Sequence, residues 1–159
     1  MNDRNELLKT IPCALLLLTA RRGDEINAMP VSWLGQVSAE PALIQIAVKP
    51  ERYTHDMIRD TGIFGLVFMD ESFKDEIPGF KLKGDDKSQK FADYDISDSP
   101  AGLPVLGNAV GWMDCGVVSM VRPGDHTLFV GEITAAKMLK KGDVLTLAHF
   151  GKDYHYGIE

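Results

Sequence analysis

The apolar positions of this chain fall into blocks that read as strands. CALLLLTA, residues 13–20, is apolar almost without a break, the pattern of a strand buried on both faces. RRGDE, residues 21–25, is a turn with Gly23-Asp24 at its tip. INAMPVSWLGQVS, residues 26–38, is strand-like but contains Pro30. Proline has no N–H to donate, so an edge, a bulge or a bend is expected there instead of a regular central strand. ALIQIAV (42–48) and IFGLVFM (63–69) are strongly β. Between them, Thr54 is placed to cap a helix that carries Met57 and Ile58 and ends near Gly62. Residues 70–104 turn polar, and short helices and surface loops are expected. Two long strand candidates follow, residues 110–122 and 126–139, joined by the turn Pro123-Gly124-Asp125 and therefore antiparallel. VLTLAHF, residues 144–150, is expected to form a last strand.

Six or more strands with short turns and one clear helix imply a mainly β protein, a closed or partly closed antiparallel barrel with helical decoration. The length of 159 residues fits one domain spanning 1–159. The formal net charge of −6 argues against a nucleic-acid partner, because phosphate backbones select basic surfaces. The apolar run near the N-terminus is shorter than the roughly 20 residues a membrane helix needs. Acidic residues precede that run and no A-x-A site follows it. Cys13 and Cys115 lie in apolar stretches, form no CxxC pair and are expected to be buried, reduced and unreactive. These features suggest a cytoplasmic protein.

The common catalytic signatures are missing. There is no GxGxxG, no GxxxxGK[ST], no GxSxG and no HExxH. His55, His126, His149 and His155 are scattered, and a His149–His155 metal pair has no cysteine or acidic cluster of matching spacing, so no metal is expected. One histidine is placed distinctively: His126 follows the Pro-Gly-Asp turn and opens a strand.

Four segments in order, NAMPVSW, KPERYTH, DDKSQKF and GDHTLFVGEI, resemble the flavin reductase-like family of FMN-binding split barrels, which includes flavoredoxin and the NAD(P)H:flavin oxidoreductases. The resemblance covers about residues 12–150. It implies an antiparallel Greek-key split β-barrel that binds FMN, accepts hydride from NAD(P)H and passes electrons to a flavin, iron or protein acceptor. It also implies a homodimer with the flavin near the interface. An FMN-bound electron carrier without direct NAD(P)H reaction, and a flavin-free scaffold on the same fold, are the alternatives.

The residues suit that cofactor. Arg52, Tyr53 and Thr54 lie where a strand gives way to a helix, and a helix N-terminus favours an anion such as phosphate. The resemblance brings Lys90, in QKF, to the FMN phosphate, with Lys87 as the other candidate. It lays Asn27, Ala28, Met29, Pro30, Val31, Ser32 and Trp33 along the flavin ring and ribityl chain, with Ser38 a lesser candidate. It places His126 near the flavin as the catalytic group, stabilising negative charge on the reduced ring, with Asp125 holding the turn or the imidazole. Tyr154 and Tyr156 are further aromatics of the C-terminal segment.

Overall fold

The apolar run after Cys13 lies between two hydrophobic cores. Leu15 and Leu17 point into one, and Leu16, Leu18 and Ala20 into the other. The structure, a computed structural model, describes residues 2–81 and 89–151. A short helix α1 (Asp3–Leu8) precedes β1 (Leu16–Arg22), β2 (Glu25–Val31), β3 (Leu34–Ser38), β4 (Leu43–Val48), α2 (Tyr53–Thr61) and β5 (Ile63–Phe68). A 3-10 segment, Glu71–Lys81, leads on to the small strands β6 (Ile96–Asp98) and β7 (Pro104–Leu106). The long hairpin of β8 (Gly111–Val121) and β9 (Thr127–Met138) follows, and then a 3-10 turn, Leu147–Phe150.

Seven strands form one antiparallel sheet in the order β2-β1-β5-β8-β9-β4-β3. Consecutive strands β2 and β3 are thus its two edges, and only Ser32 and Trp33 join them. The sheet curls to bring its edges together at this corner, and the β3–β4 ladder runs into the bend, where the Ala47 N–H donates to the Trp33 carbonyl at 2.9 Å. Pro30 sits on edge strand β2, opposite Leu17, as its missing N–H requires. The single interrupted strand expected over 26–38 is two strands, and the break falls at Ser32, two residues past the proline.

Inside the curl, Ile44, Ile46 and Val48 of β4, Phe64 and Leu66 of β5, Cys115 and Phe129 pack with Met57 and Ile58 of α2. Outside it, the 3-10 segment covers β1 and β5 with Phe73, Ile77 and Phe80. Because β1 carries both cores, its apolar residues do not alternate with polar ones.

Three expectations change. Thr54 is not the cap of α2: Arg52 occupies the N-cap position and Thr54 is buried in the first turn, its hydroxyl accepting from Asn27. Residues 144–150 form no continuous strand. Val144 and Thr146 make isolated bridges to Asp70 and Ala14, and His149 turns back so that its Nδ1 accepts from the Thr146 N–H at 3.0 Å. Of the two thiols, Cys115 is buried and burial pushes it up to about 12, whereas Cys13 is only half-buried. Among the described residues no helix is long and apolar enough to cross a membrane, and no cluster of metal-binding side chains forms.

Gly131 of β9 sits tightly against the inner core. A Cβ there would lie 2.7 Å from the Phe64 ring and 2.9 Å from the Cys115 Cβ. Gly131→Ala is therefore expected to cost about 1–3 kcal/mol, the range for overpacking. Urea denaturation checks this, and a wild-type midpoint would show that β9 has room to move.

Candidate functional site

The corner where the sheet edges meet is hollow. A half-open cleft of about 230 Å³ is lined by Met29, Pro30, Val31, Ser32, Trp33, Ala47, Lys49, Arg52, Lys81 and His126. Each wall has a distinct origin. The end of β2 and the Ser32–Trp33 bend supply one. Ala47 faces out from β4 because its neighbours Ile46 and Val48 face in. Lys49 follows β4, Arg52 caps α2, and Lys81 ends the 3-10 segment. His126 enters from the turn before β9. Three cationic side chains thus converge beside an apolar wall, and no carboxylate is among the described lining residues. In a chain of net charge −6 this is a local reversal of sign, the arrangement that concentrates an anionic ligand.

His126 is mostly covered, its side chain 15% exposed, while its neighbour Asp125 is 84% exposed. The imidazole lies against Trp33 with ring centroids 4.7 Å apart and planes tilted by 44°. Its Nδ1 meets Asp125 Oδ1 at 2.7 Å. This bond and the imidazole charge hold the Asp125 carboxyl below the usual carboxylate range, with Lys49 adding to the effect. The carboxylate thus orients the ring through Nδ1 and leaves Nε2 as the nitrogen available to a ligand.

Several residues expected at a ligand lie behind the cleft instead. Asn27, Thr54 and Lys90 are all buried, and none lines the cleft. Lys90 Nζ donates to Asn27 Oδ1 at 3.0 Å and to the Ala28 carbonyl at 2.8 Å. Asn27 Nδ2 donates to Thr54 Oγ1 at 3.0 Å. Ala28 is core, and Ser38 ends β3 away from the cleft lining. Tyr53 faces the β1–β2 hairpin: its hydroxyl accepts from Arg22 Nη2 at 2.8 Å and donates to Glu25 Oε2 at 2.6 Å. Lys87, Tyr154, His155 and Tyr156 lie outside the described residues.

Sequence reasoning missed Lys49, Lys81 and Ala47. Lys49 had a signal, since it immediately precedes Pro50 in the segment already singled out for Arg52. Lys81 had none, because it ends a polar stretch without strand or helix periodicity. His55, also unassigned, is buried and joins α2 to β9: its Nε2 lies 2.8 Å from the hydroxyl of Thr127, the residue after His126.

The chain belongs to the flavin reductase-like family, whose domain model, described as "Flavin reductase like domain", matches residues 8–157. It is 32% identical over 152 residues to a ferric-chelate reductase (NAD(P)H) of Archaeoglobus fulgidus, covering 94% of this chain and 88% of that protein. It is 26% identical over 149 residues to the high molecular weight rubredoxin of Moorella thermoacetica, covering 90% of this chain and 63% of that protein. Among solved structures it is similar to the styrene monooxygenase flavin reductase of Pseudomonas putida S12, with a TM-score of 0.78, 25% identity and coverage of 92% and 91%. The chain spans less than two thirds of the rubredoxin and about a quarter of several other curated relatives.

The Trp33–His126 contact is directly measurable. The chain has two tryptophans, so a Trp112→Phe background isolates the emission of Trp33. His126→Ala in that background is expected to raise the emission, because it removes the imidazole that lies against the indole. Unchanged emission would show that the two rings do not meet.

Proposed function

We propose, from its membership of the flavin reductase-like family, that this protein binds FMN in the corner cleft and reduces it with NAD(P)H. Electrons then pass to a flavin, iron or protein acceptor. The observation that carries this reading is the convergence of Lys49, Arg52 and Lys81 beside the apolar wall of Met29, Val31 and Trp33. A flavin mononucleotide is a planar, largely apolar ring joined to a dianionic phosphate, and the cleft offers a surface for each. Its volume is below the roughly 300–1,000 Å³ of sites that enclose a drug-sized ligand. It therefore suits a ligand held by part of its surface, with one side left open to a second reactant.

When bound, the flavin supplies hydride acceptance and onward electron transfer. The protein's own residues bind and orient. Arg52, at the N-terminus of α2, adds a guanidinium to a helix end that already favours phosphate. Trp33 and Val31 exclude water from one side of the cleft. His126, steered by Asp125 through Nδ1, presents Nε2 to the ring edge.

We further propose a homodimer. Val118, Met120 and Val121, near the end of β8 that turns toward His126, are each about half exposed. Such a patch is suited to cover by a second copy, which would complete the open side of the cleft. The second functional reading, an electron-carrier module fed by a protein partner, is favoured by the relatives of which this chain spans only a fraction.

An absorption spectrum separates these readings. The purified protein with FMN is expected to show the flavin band near about 450 nm and to lose it on anaerobic addition of NADH or NADPH. Bleaching only in the presence of a partner reductase selects the carrier, and failure to take up FMN or FAD ends both readings. Arg52→Ala is expected to weaken FMN binding by roughly 1–3 kcal/mol, the range for a charge-assisted hydrogen bond. Fluorescence titration of FMN measures it, and unchanged affinity removes Arg52 from the phosphate end.

A further inference from the structure

We infer that His55 is a positioning residue: from the first turn of α2 it holds the Thr127 hydroxyl, and through Thr127 it aims His126 into the cleft. The inference rests on His126 serving the flavin proposed for this cleft, and it gives a task to a buried histidine outside the cleft lining.

The start of β9 needs such an anchor. On the β8 side its ladder reaches only to Leu128, paired with Val121, and on the β4 side it stops at Thr127, paired with Val48. Neither ladder includes His126, and the turn before it, residues 122–125, is exposed. Asp125, the other partner of the imidazole, belongs to that turn and is itself 84% exposed. Side chains alternate faces along a strand. Thr127 and Phe129 are buried, and His126 and Leu128 between and beside them are less so. Fixing the Thr127 side chain inward therefore turns His126 outward, to the face that also carries Ala47.

His55 supplies the anchor from a fixed base. Met57 and Ile58, both fully buried, seat α2 in the inner core. His55 Nε2 lies 2.8 Å from Thr127 Oγ1, and its Nδ1 lies 3.0 Å from Asp56 Oδ1. Its ring meets Phe129 edge-on, with centroids 5.3 Å apart. The same Asp56 oxygen takes Arg59 at 3.0 Å, so the carboxylate is held from its other side. A carboxylate only accepts, so the Nδ1 facing it carries a proton. Nε2 faces a hydroxyl, which donates or accepts, so the bond to Thr127 forms in either charge state of the ring. Threonine is stiff at χ1, so a hydroxyl held in one place holds the Thr127 backbone with it. His126 is the next residue along that backbone.

The contact of His126 with Trp33 reports the aim without any ligand. In the Trp112→Phe background, Thr127→Val removes the hydroxyl at nearly the same shape, and His55→Phe keeps a ring against Phe129 without its nitrogens. Both are expected to raise Trp33 emission toward that of His126→Ala. Thr127→Ser keeps the hydroxyl and is expected to match the parent. Residues that act through one group are not additive. Adding Thr127→Val to His126→Ala is therefore expected to raise the emission no further. In the flavin-loaded protein, Thr127→Val is expected to slow anaerobic reduction by NADH or NADPH about tenfold, within the cost of a slightly misplaced group. It is expected to add nothing to the loss in His126→Ala. A thermal melt accompanies each variant. Thr127→Val and His55→Phe proteins that melt lower yet keep the parent emission make the tie purely structural and overturn the inference. So does a rise that persists in full on top of His126→Ala, or a Thr127→Ser variant as bright as Thr127→Val. A wild type that takes up no flavin, or none that NADH or NADPH reduces, overturns that reading of the cleft alone, and the emission series still decides the tie.

Discussion

The structure depends on a covalent constraint. Strands β2 and β3 are the two edges of a seven-stranded sheet, yet only Ser32 and Trp33 separate them in the chain. Three residue steps reach at most about 11 Å. Seven flat strands would hold their edges about 29 Å apart. The sheet must therefore curl, and its curvature makes one face an enclosed core around Phe64, Ile46 and Phe129. It also makes the corner. Two edges that meet through a bend, without pairing along their length, leave a notch. The cleft is that notch, and the residues of the bend are its wall.

The same constraint explains what could be read from the chain and what could not. The strand at residues 13–20 was legible because both its faces are buried, and the pattern comes from burial alone. Pro30 announced an edge, a bulge or a bend, since a missing N–H is a local fact, and it lies on an edge strand. The helix α2 and its end at Gly62 were legible too, with the glycine at φ 73° in the left-handed region. Thr54 was misread because its local preference for capping lost to a partner 27 residues away in sequence. Residues 144–150 alternate like a strand, but Leu145 is bonded on both sides, to Leu15 and to Met69. They fill a slot between β1 and β5 instead of extending a ladder.

The candidate site was legible in its segments more than in its side chains. Met29 to Trp33, Arg52 and His126 do meet at one cleft. Within those segments, which side chain faces the cleft is decided by contacts that local sequence does not encode. Tyr53 and Arg52 are adjacent, yet Tyr53 turns to Arg22 and Glu25 across the hairpin. Lys49 and Lys81 come from different elements and converge only because the curl brings the end of β4 near the end of the 3-10 segment.

Two kinds of cation result from this arrangement, and they are chemically distinct. Lys49, Arg52 and Lys81 face an open cleft in an otherwise acidic protein. Their side chains line a surface that solvent reaches, where charges are screened more than in the interior. Lys90 is desolvated at folding and spends its donors on Asn27 and Ala28.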